Sequence, residues 1–230
     1  MEKMKSMKSI SGYIFKGALP LLLLLFLFQS LNGQDTLRTY GPRIGIDLAR
    51  FAYYFTDPAQ VGAEVSLDFE ILNNIFPVLE AGYSSLSDSI DDVEYASRGP
   101  YARIGLDYNL LPIKDRSVHH SLFIGFRYAT SRFTHNAENI NIPSDYWGDY
   151  LIETYENTLN GHWLELVGGV KAELFSNLFL GWSVRYKILL NADMDPQITP
   201  LMIPGYGKGT EDRGFGFTYS IFYKIPLLKH

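Results

Sequence analysis

The residues best suited to chemistry here are charged ones on alternate positions of otherwise apolar stretches. They are Glu64, Asp68, Glu70, Glu80, Arg103, Asp107, Arg127, Glu165, Lys171, Arg185 and Lys187. Two chemistries fit such a set. In a wet channel, the charges would pass protons or ions. In a narrow, dry interior they would neutralise one another, with the planar arginine fork matching a carboxylate in two-point geometry. Acids gather early in the chain, at Glu64, Asp68, Glu70 and Glu80, and bases later, at Arg103, Arg127, Arg185 and Lys187.

Other constellations carry weaker signals. Ser131, His135, His162 and Glu165 are the residue types of an acyl-transfer site, which needs a nucleophile, a base and an orienting acid in contact. The alternation separates them: Ser131 and Glu165 fall on the polar face, His162 on the apolar one. His119-His120 is a lone histidine pair and a poor metal signal. Gly205-Tyr-Gly-Lys-Gly-Thr210 lacks the spacing and helix of a phosphate loop and reads as a turn. No cofactor motif is present. The stretch Asp145, Tyr146, Trp147, Gly148, Asp149, Tyr150 combines acids with the aromatic types enriched at binding hot spots, and marks a candidate partner-binding loop. Asp88-Ser89-Ile90 and Asp35-Thr36-Leu37 have the form of a short acceptor for O-glycosylation.

The elements that must position these residues are strands. In Val61–Leu72 every odd residue is apolar (Val61, Ala63, Val65, Leu67, Phe69, Ile71), and most even ones are small or charged. A period of two is a strand with one greasy and one polar face. The pattern predicts eight strands, at 43–54, 61–72, 75–85, 100–110, 120–133, 162–174, 178–190 and 214–225. Short connections at Asn73-Asn74 and Phe175–Asn177, with Leu111–His119 between strands four and five, contrast with long ones at Leu86–Gly99, Thr134–Gly161 and Asn191–Arg213; Phe55–Gln60 is the short exception. Turns on one side and loops on the other describe an up-and-down transmembrane barrel. Strand one changes phase between Leu48 and Phe51, which predicts a β-bulge near Ala49-Arg50. Pro77 should sit near a strand end or a bulge.

Periodicity survives inversion, so a soluble barrel or sandwich with its greasy face inward is the rival. Three features favour the membrane. Gly82, Gly105, Gly125, Gly169, Gly181, Gly214 and Gly216 lie on the charged face, where they make room for long side chains. Tyr53, Tyr83 and Tyr128 fall near one end of the greasy face, and Tyr108 and Tyr223 near the other. The loops are unequal in length. Eight strands leave a lumen just wide enough for side chains, so the charges are read as a salt-bridged plug, in which Asp68 and Glu80 are expected to reach across to Arg127 and Arg185.

The N-terminus has a basic leader (Lys3, Lys5, Lys8, Lys16), an apolar run over Leu19–Phe28 and small or polar residues up to Gly33. This is the layout of a secretory signal peptide, with cleavage expected after Gly33. The 230-residue chain carries −5. Losing the leader would remove +3 and leave one acidic domain over 34–230 at −8. That balance excludes the basic footprint of a nucleic-acid binder. With no cysteine, there is no disulfide framework and no lipoprotein anchor.

The last strand, Gly214-Phe-Gly-Phe-Thr-Tyr-Ser-Ile-Phe-Tyr223, resembles the C-terminal targeting strand of outer-membrane proteins through Gly216, Tyr219, Ile221 and Tyr223. It departs from that pattern by continuing through Lys224 to His230. Together with a leader ending Asn32-Gly33, the chain resembles the small eight-stranded outer-membrane proteins of Bacteroidota. The resemblance implies residence in the cell outer membrane, contact with outer-membrane lipid, and service beside another outer-membrane or surface protein. The reading is a non-enzymatic barrel that presents acidic, aromatic loops. The alternatives are a lipid-modifying acyl hydrolase or acyltransferase in the same barrel, and a soluble exported barrel.

Overall fold

Eight antiparallel strands close on themselves. They are β1 (Arg43–Asp47), β2 (Gln60–Asp68), β3 (Ile75–Ile90), β4 (Val93–Asn109), β5 (Ser121–Ile142), β6 (Tyr150–Phe175), β7 (Leu178–Ala192) and β8 (Arg213–Lys224). Each pairs with its neighbour in sequence, and β8 pairs with both β7 and β1. This computed structural model describes residues 39–50, 59–72, 74–90, 93–111, 120–142, 150–192, 195 and 198–229. The predicted leader, Tyr53, His119, and Asp145, Tyr146, Trp147 and Asp149 of the candidate binding loop lie outside them. Tyr150 opens β6.

The greasy face points outward. Ile46, Val65, Leu79, Ile104, Phe126, Leu166, Trp182 and Phe217 are all exposed, while Glu64, Asp68, Glu80, Arg103, Arg127, Glu165 and Arg185 are buried. Tyr83, Tyr128, Tyr108 and Tyr223 also face out. Gly82, Gly105, Gly125, Gly169 and Gly181 have a steric reason, whereas Gly214 faces open space. A Cβ on Gly125 would stand 2.1 Å from Asp107 Oδ1, and one on Gly82 2.4 Å from Tyr101 Cζ.

The tight turns use asparagine. Asn74, between β2 and β3, and Asn177, between β6 and β7, have φ of 70° and 66°, a left-handed conformation that asparagine tolerates. Glu173 Oε1 accepts the Asn177 amide at 2.9 Å. Pro77 is the third residue of β3 and leaves the ladder intact.

Two expectations change. The first strand stops at Asp47, and residues 48–50 form a helical turn instead of a β-bulge. Asp47 Oδ1 accepts the Ala49 amide at 3.0 Å and the Tyr219 amide at 3.2 Å, so it caps the turn and ties it to β8. The turn swings Arg50 to Glu64 at 3.2 Å, away from the outer surface.

The second change concerns Leu86–Gly99 and Thr134–Gly161, which are mostly strand. β5 and β6 stay paired from Ser131↔Gly161 out to Ile142↔Tyr150, and β4 follows β5 out to Glu94↔Glu138. The β5–β6 extension adds roughly 35 Å along the strand.

Candidate functional site

The charged face converges on one buried network. Arg103 sits between Glu64 (2.8 Å), Glu80 (3.1 Å) and Glu165 (2.9 Å). Arg185 bridges Glu80 (2.6 Å) and Glu165 (3.0 Å). Arg127 reaches Asp107 at 2.6 Å and Glu80 at 3.4 Å. Nearer the tight turns, Asp68 takes Arg43 at 2.5 Å and Lys171 at 2.7 Å, and Lys171 reaches Asp107 at 3.4 Å. Aromatic rings line this end: Arg43 lies 4.7 Å over Phe76, and Lys171 lies 4.8 Å over Phe123 and 4.9 Å over Phe222.

Two sequence expectations need correction. Asp68 does not meet Arg127 or Arg185; it belongs to the Arg43–Lys171 group. Glu70 lies beyond the end of β2, half-buried, where its Oε1 accepts the Asn74 amide at 3.3 Å. The alternation that placed Glu70 inward ends with the strand at Asp68.

Sequence reasoning missed several partners. Arg43 and Asp47 share the inward phase of β1. Tyr101 shares that of Arg103 and donates its hydroxyl to Glu64 at 2.6 Å. Trp163 shares that of Glu165 and donates Nε1–H to its Oε1 at 2.7 Å. Parity alone could have found all four.

The mouth on the side of the long hairpins is stoppered by residues from the β7–β8 connection. Met202–Ile203 and Gly207–Lys208 form a small ladder. Its turn aims the Gly205 and Tyr206 carbonyls at Lys187 Nζ (2.8 Å each), and Arg103 also donates to Gly205 O at 3.0 Å. Gly205 has φ +80°, and a Cβ there would meet the Tyr101 ring at 2.5 Å. Ile203 and Tyr206 pack against Tyr101, Ala129, Phe133, Leu159 and Trp163. Below this stopper the lumen keeps a cavity of about 30 Å³, room on the order of one water.

The acyl-transfer candidates are not brought together. Ser131 Oγ donates to Pro100 O at 3.0 Å, and His162 Nδ1 meets the Tyr128 hydroxyl at 3.0 Å. Glu165 belongs to the arginines. His135, fully buried, faces Asp195 at 2.8 Å. His120 Nδ1 accepts the Glu173 amide at 3.1 Å.

Asp195 is the hub of a polar cluster above the stopper. It also accepts from the Tyr155 hydroxyl at 2.7 Å and from Asn157 at 2.9 Å. The hydrogen bond to Asp195 stabilises the neutral phenol and raises the Tyr155 pKa above its ordinary 10.0. A raised pKa of this kind stabilises the fold below the unfolded value and is lost as pH rises through the folded one. In spectrophotometric titration, the difference between wild type and Tyr155→Phe should show a tyrosinate midpoint above 10.0. A midpoint at or below that value would remove the Asp195 bond from the account.

A family model described as "Domain of unknown function (DUF6048)" matches residues 10–230, and the chain belongs to that family. A search of curated proteins finds no match. Among solved structures, the chain is similar to Ail, the attachment invasion locus protein of Yersinia pestis, crystallised with the heparin analogue sucrose octasulfate. Identity is 10% and TM-score 0.41, over 80% of this chain and 98% of that one. It is similar to Acinetobacter baumannii CarO2 at 11% identity and TM-score 0.41, over 83% of this chain and 100% of that one. It is similar to Neisserial surface protein A at 10% identity and TM-score 0.37, over 84% and 100%. Such values describe a likeness in strand layout only.

Proposed function

We propose that this member of the DUF6048 family is a non-enzymatic barrel of the bacterial outer membrane, exported by a leader cleaved after Gly33. Its sealed lumen anchors projecting hairpins that meet a partner outside the cell. One observation carries the reading: the barrel's polarity is inverted relative to a soluble protein. Apolar side chains ring the outside, far beyond the few hundred Å² a soluble monomer leaves bare. Charges fill the inside, where they neutralise one another instead of lining a water column. The tight turns would face the periplasm and the β3–β4 and β5–β6 hairpins the exterior, the arrangement usual for such barrels. The Asp145–Tyr150 stretch lies in sequence between the end of β5 at Ile142 and the start of β6 at Tyr150, and is proposed as the segment that meets the partner.

The experiment is fractionation followed by planar-bilayer recording. The protein should stay with the outer membrane after breakage without detergent, and should run as a heat-modifiable band. Purified, it should pass no current. Recovery in the soluble periplasmic fraction would overturn the membrane reading. Reproducible single-channel steps that scale with added protein would overturn the plug.

A further inference from the structure

We propose that the outer wall of β3–β5 carries a binding site for a phosphate-headed, acylated lipid. Its acyl chain would lie in a groove between the strands, and its phosphate would be held by Arg98 and Arg132. The proposal rests on the membrane reading above.

The groove is a property of side-chain size. Ala81 on β3, Ala102 on β4 and Thr130 on β5 lie side by side in register on the outward face. Larger neighbours, Leu79, Ile104 and Tyr128, stand proud of them, and with Ile44 of β1 and Val65 and Leu67 of β2 they wall an open apolar depression of about 550 Å³. The polar groups of the wall's backbone are paired in the ladder, so the depression offers a mainly apolar surface, with the hydroxyls of Thr130 and Tyr128 among its lining. A flexible hydrocarbon chain fits that chemistry.

Two exposed cations stand beyond the end of the depression without lining it, Arg132 one outward position past Thr130 and Arg98 two past Ala102. Arg98 faces outward on the same strand as Ala102, and Arg132 on the same strand as Thr130. By the register, Arg98 is opposite Thr134, two residues beyond Arg132. The two arginines are therefore diagonal neighbours, about 7–8 Å apart at the backbone. That spacing lets two guanidinium groups converge on one phosphate, which arginine binds in two-point geometry. Among the described residues, neither arginine has a carboxylate partner. The lumen arginines Arg103, Arg127 and Arg185 all have one.

Charge is sorted along this wall. Tyr83 and Tyr128, exposed and amphipathic, mark the top of the apolar band. The arginines come next. The outward carboxylates Glu94, Glu138 and Glu156 stand further out on β4, β5 and β6. An anion is favoured only in the layer between, at the height of lipid head groups. On an acidic chain, a cation pair held at that height is the local exception.

The test uses the full mature protein in neutral detergent and native mass spectrometry with three probes. Dioleoyl phosphatidic acid supplies head and chains, dioleoylglycerol the chains alone, and glycerol phosphate the head alone. Phosphatidic acid should bind in discrete copies. Arg98→Gln with Arg132→Gln should weaken it about tenfold or more, the loss expected for charge-assisted bonds to a phosphate. Ala102→Trp should block the groove and lower retention of both dioleoyl lipids; Ala81→Phe serves if that variant does not fold. Glycerol phosphate should not compete at matched concentration.

Phosphatidic acid binding that ignores both arginines would overturn the site. So would equal competition by glycerol phosphate, which means a free-anion patch, or unchanged retention after the groove is filled. Heat-modifiable mobility separates the two levels. A variant that inserts and stays folded while losing no lipid refutes this site alone. A wild type that never inserts refutes the membrane reading.

Discussion

Arg103→Ala should strip the guanidinium from Glu64, Glu80 and Glu165 at once and leave three carboxylates crowded in a buried lumen. The expected loss is about 3–5 kcal/mol, the cost of leaving buried charge uncompensated. The heat-modifiability midpoint on gels should fall accordingly. Arg127→Ala and Arg185→Ala belong to the same class, because Arg127 faces Glu80 and Asp107, and Arg185 faces Glu80, Glu165 and Glu64. Lys208→Ala is the internal control. Its side chain is 75% exposed and, among the described residues, pairs only with Glu211, and exposed pairs contribute about 0–1 kcal/mol. An Arg103→Ala midpoint no lower than that of Lys208→Ala would mean the lumen is wet, and the plug would have to be abandoned.

Trp163→Ala should be comparably severe, by a different route. The indole is fully buried, stands 5.7 Å from the Tyr206 ring and donates to Glu165. Truncating it opens a void at the junction of the stopper and the charge network. Phe or Trp to Ala in a packed core costs about 3–5 kcal/mol. Trp163→Phe keeps most of the ring and removes only the donor, so its loss should be smaller, about 1.5–3 kcal/mol for a bond to a charged group. The pair of variants separates packing from hydrogen bonding by their unfolding midpoints. Equal shifts would mean the hydrogen bond, not the ring volume, holds the stopper. In bilayers, Trp163→Ala is also the variant expected to leak, since Tyr206 and Ile203 would lose their shared wall.

How much of this was legible before folding depends on what surrounds each segment. Inside the apolar band, one face meets hydrocarbon and the other meets charge, so the period of two is strong. From it alone, the strands between Val61 and Tyr223 could be laid out, and inward parity assigned to Glu64, Asp68, Glu80, Arg103, Asp107, Arg127, Glu165, Lys171, Arg185 and Lys187. Beyond the band both faces are polar or mixed. The alternation fades there, and Thr134–Gly161 read as loop although β5 and β6 remain paired through most of it. Phase was lost again at Leu48–Arg50, because a helical turn takes its direction from the capping carboxylate of Asp47 and not from a repeating pattern.

The chain by itself determined strand number, neighbour order and the face each lumen charge occupies, because those follow from local alternation and short turns. Only the tertiary structure decided who pairs with whom across the lumen. The stagger between strands sets relative depth, and it put Asp68 beside Arg43 and Lys171, leaving Glu80 to Arg127 and Arg185. It also decided how the mouth is closed. Sealing it takes two backbone carbonyls at Gly205 and Tyr206, and a backbone carbonyl, present at every residue, leaves no mark in a sequence.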